Sequence, residues 1–230
     1  MMMDTATHAS NLPQTPQPTS SVAMIGTLTG IALVSGLLLA LVYQGTYDRI
    51  QHNRQARTRA AVEEILPGIV SQRAFEAETS LDDGVVTQQI YAGYDASGAL
   101  VGVAIEASDS GGYGGEIRII YGYLPDKQEI TGMKVLLSKE TPGLGDRITT
   151  DPAFRANFDG LQVPLDPESK EPVTPIVYAK PGAGGSAGEV EGISGATISS
   201  QAVTRAVRES TARVLPIVYD MLDELKKGGQ

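Results

Sequence analysis

The chain has 230 residues, a formal net charge of -9, no Cys and no Trp. No block of Lys or Arg offers a face to a polyanion, which sets nucleic-acid binding aside, and without Cys there is neither a disulfide framework nor a thiolate-ligated zinc or iron–sulfur centre. The two histidines, His8 and His52, precede the part that reads as globular, so a Ser-His-Asp triad and His-ligated metals are excluded from that part.

Residues 1–21 are rich in Pro, Thr, Ser and Gln with few large apolar side chains, and read as a disordered polar tail. Residues 22–43, VAMIGTLTGIALVSGLLLALVY, carry no charge over 22 positions. At ~1.5 Å per helical residue this run spans a hydrocarbon core of roughly 30 Å. A cleavable signal peptide would bring a basic n-region, a shorter apolar run and a clear A-x-A site, so the segment reads as a transmembrane helix. Gly26 and Gly30 form a GxxxG pair, a spacing that admits a second helix and that also arises by chance in membrane helices. Arg49, Arg54, Arg57 and Arg59 follow the span and no Lys or Arg precedes it, which by the positive-inside rule puts the C-terminal side in the cytoplasm.

Residues 44–75 read as a helical stalk and linker, with Ile50, Val62, Ile65 and Leu66 among alternating charges and a stop at Pro67-Gly68. From residue 76 to 230 the period changes. VVTQQIYAGYD and ALVGVAIEAS flank Asp95-Ala96-Ser97-Gly98 as one hairpin, and EIRIIYGYL and ITGMKVLLSK flank a turn containing Pro125 as a second. DPAFRANF, with Asp151 at the N-cap and Pro152 at N1, predicts a short helix. The last helix carries Val203, Val207, Val214, Ile217, Met221 and Leu225 at helical spacing toward the sheet, with a kink expected at Pro216. The class is α+β: an antiparallel sheet with packed helices, preceded by one transmembrane helix.

Three segments stand out: GGYGGEI at 111–117, SKETPGLGDRI at 138–148 and SGATIS at 194–199. The first reads as a connection between strands, the second as a tight turn built on Pro142, Gly143 and Gly145, and the third as a helix start capped by Ser199 or Ser200. SGATIS has a second reading, because free N–H groups at a helix start attract an anion. A phosphate then rests on Thr197, with Gly195 and Ala196 leaving room.

The run from Glu191 to Ser199, E-x-x-S-G-A-T-x-S, resembles the flavinylation motif of FMN-binding domains, in which the final Thr carries FMN as a phosphoester. ETPGLGD at 140–146 resembles the second signature of these domains, and GYGG before a strand is similar to the RnfG family of the Rnf electron-transport complex. The NqrC family of the sodium-pumping NADH:quinone reductase shares SGAT and ETPGLG but words its glycine segment differently, which makes RnfG the nearer match. This chain departs from the pattern at Glu191, where the family more often has Asp, and in its long polar N-terminus.

The resemblance implies covalent FMN on Thr197, with Ser194, Gly195, Ala196 and Ser199 around the attachment point. It implies that Glu140, Thr141, Leu144 and Gly145 contact the isoalloxazine ring, Glu140 by accepting from a ring N–H and Leu144 by packing on the ring face. No residue is expected to be catalytic by itself and none to bind metal. A Thr hydroxyl is a poor nucleophile without a neighbouring base, so self-modification is not expected; the resemblance implies a separate magnesium-dependent flavin transferase that uses FAD. The implied protein is an electron relay with the other members of an ion-translocating ferredoxin:NAD+ oxidoreductase (Rnf) complex. It is expected in the bacterial inner membrane with its C-terminal domain in the periplasm, against the Arg bias. The rival readings are the equivalent FMN protein of the quinone-reducing pump and a cofactor-free, membrane-tethered binding module.

Overall fold

A computed structural model describes residues 20–81 and 84–229. The tail expected over residues 1–21 lies outside the described residues apart from Ser20 and Ser21, and Ser21 already opens the first helix. The chain divides into two compact units after His52.

In the first unit, helix α1 (Ser21–Ile65) contains the uncharged run and is long and apolar enough to cross a membrane. Leu28, Ile31, Leu33 and Leu39 stand exposed on it, as lipid-facing residues do. Thr27 and Thr46 donate their hydroxyls back to the carbonyls of Ala23 (2.9 Å) and Val42 (2.7 Å), satisfying polar groups within the helix. The Tyr43 and Tyr47 rings lie 5.8 Å apart at the end of the apolar run, the amphipathic kind of residue favoured where a membrane meets water.

The second unit begins within the same helix. Pro67 and Gly68, the latter at φ 86°, stop α1 where the sequence places the break. Five long strands then follow: β1 (Ser71–Leu81), β2 (Gly84–Tyr94), β3 (Leu100–Gly112), β4 (Gly115–Leu124) and β5 (Glu129–Leu137). Each pairs antiparallel with the next, and the short β6 (Leu161–Gln162) closes the edge against β5. Both expected hairpins form. Asp95 Oδ1 builds the first turn by accepting from Ser97 N at 2.8 Å and Ala99 N at 2.9 Å, with Gly98 at φ 80°. The expected boundary at residue 76 falls inside β1, because that strand's polar run conceals its period.

Between β5 and β6 lie α2 (Arg147–Thr150) and α3 (Pro152–Ala156). Asp151 caps α3 by accepting from Ala153 N (3.1 Å) and Phe154 N (3.3 Å). A parallel pair, β7 (Val177–Ala179) and β8 (Glu189–Glu191), leads into α4 (Thr197–Asp220), and α5 (Leu222–Lys227) ends the described chain. α4 runs through Pro216 to Asp220 as one helix.

The sheet is a middle layer. On one face Ile90, Val103, Ile105, Ile117, Ile119 and Tyr121 pack against Val203, Val207, Val214 and Val218 of α4, at about 1.5–3 kcal/mol for each fully buried aliphatic side chain. Tyr121 Oη and Ser210 Oγ, both buried, satisfy each other at 2.9 Å. The alternate residues Ala104 and Ile120 face the other way and pack against Ala61, Val62, Ile65 and Leu66 from the end of α1. That approach needs glycine at 122, where a Cβ would lie 2.9 Å from the Ile65 carbonyl oxygen, while Gly93 lies close under the Leu66 and Ile69 side chains. Glu64 anchors the same turn through Lys134 and through Arg155 at 3.0 Å.

One ion pair fixes the far end of β3 on α4. Arg205 donates from Nε to Asp109 Oδ2 (2.9 Å) and from Nη2 to Oδ1 (2.8 Å), and Oδ1 also accepts from Gly111 N at 2.7 Å. The Arg205 guanidinium, helped by the Gly111 N–H, holds the Asp109 carboxyl below the usual carboxylate range.

Two outcomes are expected. Gly122→Val should destabilise the fold by about 1–3 kcal/mol through overpacking under α1, read as a lower denaturant midpoint of the full chain in detergent. Asp109 binds its proton more weakly folded than unfolded, so its contribution is complete above the unfolded carboxylate range near about pH 4 and is lost as pH falls through the lower folded value. Asp109→Asn should therefore lower Tm at neutral pH and flatten its decline in acid, measured by thermal unfolding from about pH 7 to about pH 3.

Candidate functional site

Three connections converge at the N-terminal end of α4. The first is the tip of the β3–β4 hairpin, Tyr113-Gly114. The second is the β5–α2 loop, which carries Glu140 to Asp146, and the third is the turn from β8 into α4, Gly192 to Ala196.

The β8–α4 turn is shaped by backbone. Gly195 adopts φ 83° with open space where a Cβ would stand, so conformation and not crowding calls for glycine there. α4 then starts at Thr197 with no side-chain cap. The expected capping by Ser199 or Ser200 does not occur, because the helix begins early enough to put both serines inside its first turn. Ser200 Oγ instead accepts from Ile193 N at 3.1 Å, and Ser199 Oγ donates to Glu140 Oε2 at 2.8 Å. The first-turn N–H groups are left pointing outward, as at any uncapped helix start. Thr197 is exposed, and among the described residues no side chain hydrogen-bonds its hydroxyl.

Glu140 ties the three connections together. Its side chain is buried, with Oε1 accepting from Gly114 N at 3.0 Å and Oε2 from Ser199 Oγ. Gly145 lets this happen, since a Cβ there would lie 2.6 Å from Ser199 Oγ and against Glu140 Oε2. Gly143, at φ 77°, turns the loop, and Leu144 N and Asp146 N both donate to Thr141 O, at 3.1 and 3.4 Å.

These segments enclose a cleft of about 500 Å³, within the usual range for a small-molecule site. Glu140, Thr141, Leu144, Gly145, Gly195, Ala196, Thr197 and Ser199 all line it. Ser194 does not. It lines a smaller adjoining cavity of about 220 Å³ with Arg147, Asp151, Asn157 and Glu191. Arg147 braces the turn from that side, donating from Nη1 to Ser194 O (3.1 Å) and from Nη2 to Asp151 Oδ2 (2.7 Å). Asn157 fixes the incoming strand by accepting from Glu191 N at 2.9 Å and donating to Glu191 O at 3.1 Å. Glu191 turns its carboxylate to Gly182 N at 2.6 Å.

Two lining residues escaped the sequence reading, Tyr113 and Ile198. With Leu144 they form an exposed apolar set around the cleft, at 74%, 48% and 55% exposure respectively. The signal for Tyr113 was available, since it is the one side chain in a run of glycines. Among the described residues, no Lys or Arg lines the cleft. It combines an apolar surround with an uncapped helix start beside an exposed hydroxyl, which suits a ligand with a flat apolar body and an anionic tail.

Residues 112–212 match the model of the FMN-binding domain, and residues 26–65 match the model of the RnfG N-terminal region. The G subunit of the ion-translocating oxidoreductase complex of Methanosarcina acetivorans is 35% identical over 187 residues, covering 81% of this chain and 90% of that protein. The protein of the same name from Pseudoalteromonas atlantica is 30% identical, covering 80% and 83%. The crystal structure of Shewanella oneidensis NqrC superposes with a TM-score of 0.50 at 23% identity over 70% of this chain and 72% of that one, showing a shared fold. By its sequence relatives and both matched models, the chain belongs to the RnfG family, the G subunits of ion-translocating oxidoreductase complexes.

Proposed function

We propose that this chain carries FMN covalently on Thr197 and relays electrons within an ion-translocating oxidoreductase complex. The observation that carries the reading is the exposed Thr197 hydroxyl at the uncapped start of α4, on the rim of a cleft lined in part by Tyr113, Leu144 and Ile198 and, among the described residues, by no basic side chain.

The residues present fit the group. A free phosphate monoester brings nearly two negative charges at neutral pH and is ordinarily met by Arg or Lys. A diester on Thr197 brings one, which the helix start, equivalent to about +0.5 charge with its free N–H groups, can offset. Leu144 and Ile198 supply apolar surface for a ring system, and Gly195 and Ala196 leave the approach to Thr197 open. Glu140 holds the cleft's three walls together, and Ser199 holds Glu140. Thr141 fixes the turn that presents Leu144, and Ser194 takes the Arg147 brace behind the attachment point.

When bound, FMN accepts and passes on electrons, chemistry that no side chain of this domain supplies. The chain's part is to hold the group, keep water from one side of it and leave an edge open to partners. Among the described residues no side chain hydrogen-bonds the Thr197 hydroxyl, and the domain has no His or Cys to take its proton, so the proton is expected to leave to a group on another protein. This agrees with maturation by a separate enzyme, and the family resemblance implies a magnesium-dependent flavin transferase with FAD as donor. The remaining parts of the reading are anchorage of α1 in the bacterial inner membrane, a periplasmic C-terminal domain, and transfer among the other members of a complex that couples ferredoxin and NAD+ to ion movement. The family to which the chain belongs supports the Rnf complex over the quinone-reducing pump.

Denatured wild-type protein from cells containing the transferase is expected to fluoresce as a flavin on a gel. Its intact mass should exceed that of the bare chain by FMN less water, and Thr197→Ala should remove both signals. A dark wild-type band with the mass of the bare chain would overturn the proposal in favour of a cofactor-free module.

A further inference from the structure

We infer that Tyr113, at the tip of the β3–β4 hairpin, is the aromatic wall of the cleft and stacks on the flat ring of the ligand held there. This rests on the reading of the cleft as a flavin site and adds to it a residue that contacts the ring.

A hairpin tip that only reverses the chain favours Asn-Gly or Asp-Gly, small polar residues suited to the turn and to water. Here Gly111 to Gly115 contain a single side chain, the phenol of Tyr113. It is 74% exposed and lines the cleft with Leu144 and Ile198. A lone exposed aromatic would be unremarkable on a mobile loop, but this tip is fastened from two sides. Gly114 N donates to the buried Glu140 at 3.0 Å, and Gly111 N donates to Asp109 at 2.7 Å, which the Arg205 fork holds on α4. Gly112 is packed so closely that a Cβ on it would lie 2.7 Å from Glu140 Oε1 and 2.8 Å from Ile117. Glycine at 111, 112 and 114 thus serves close fastening, and the one residue with a side chain presents it to the cleft.

An exposed aromatic on a fixed backbone loses little freedom on meeting a flat ring, which favours stacking. The same carboxylate that joins the hairpin tip to Ser199 couples the position of Tyr113 to the start of the helix bearing Thr197. Among the described residues Tyr113 is the only aromatic lining the cleft, and the chain has no Trp. An optical signal from stacking there has one source.

The test uses full-length, matured protein in detergent, with Tyr113→Leu and Tyr113→Phe beside wild type. A stacked phenol quenches flavin emission by lending an electron to the photoexcited ring and taking it back, so neither partner is changed. Wild type should be dim when native and bright when denatured. Tyr113→Leu should raise native emission several-fold and shift the visible absorption bands, with the denatured band unchanged. Tyr113→Phe should raise emission while keeping the wild-type absorption, since it stacks but yields an electron far less readily. Native emission and absorption in Tyr113→Leu equal to wild type, at equal denatured fluorescence, would overturn the inference while leaving attachment at Thr197 intact. If the denatured wild-type band is dark, attachment has failed instead, and added FMN becomes the probe. Tyr113→Leu should then weaken its binding about tenfold, whereas equal affinities, or no binding by wild type, would overturn the inference.

Discussion

A carboxylate removed from water demands partners, and Glu140 meets that demand with groups from two distant parts of the chain. Isolating its charge would cost several kcal/mol, so the fold is held to arrangements in which the Gly114 N–H and the Ser199 hydroxyl both reach it. Each of those groups stands on a different wall of the cleft. The cleft's shape is therefore set by one acceptor that, among the described residues, has no cationic partner and is satisfied by neutral donors. The glycines around it follow: Gly112 and Gly145 are small because a carboxylate occupies the space beside them.

The layering of the domain explains why the site lies where it does. α4 lays its valines across one face of the sheet, and the end of α1 occupies the opposite face above Gly93 and Gly122. With both faces covered, open surface for a ligand is left at the connections. The connections near the start of α4 are the ones that leave a helix uncapped and a cleft beside it. Packing supplies the rigidity there, and the uncapped helix start would supply the attraction for the anionic group proposed to sit on it.

Local signals made much of this legible in the sequence. Strand alternation around Asp95-Ala96-Ser97-Gly98 and Pro125, the Asp151-Pro152 helix start, the stop at Pro67-Gly68 and the apolar stripe of α4 are each written within a few residues. SGATIS and ETPGLG were legible as segments, and the fold brings them to one cleft. What escaped depends on distance in sequence. β1, SQRAFEAETSL, is an edge strand whose polar residues mask its period, and it is held by its pairing with β2. β7 and β8 pair parallel across a glycine-rich loop that carries no periodic signal. The serines at 199 and 200 look like caps until the helix is seen to begin at Thr197, and the bond from Arg147 to Ser194 spans 47 residues. Tyr113 was visible as a letter among glycines, but only the fastening of the hairpin gives it a direction.

That no basic side chain among the described residues lines the cleft bears on how a ligand could be kept there. An untethered anion would leave it readily, since little beyond a helix start holds the charge. The covalent tether proposed at Thr197 would change the arithmetic: the ring would be presented to its walls at an effective concentration on the order of millimolar, whatever the amount free in the surroundings. On that proposal, weak contacts with Leu144, Ile198 and Tyr113 would suffice for occupancy. The cleft can remain shallow, with one edge of its contents open, and exchange with a passing partner does not compete with retention.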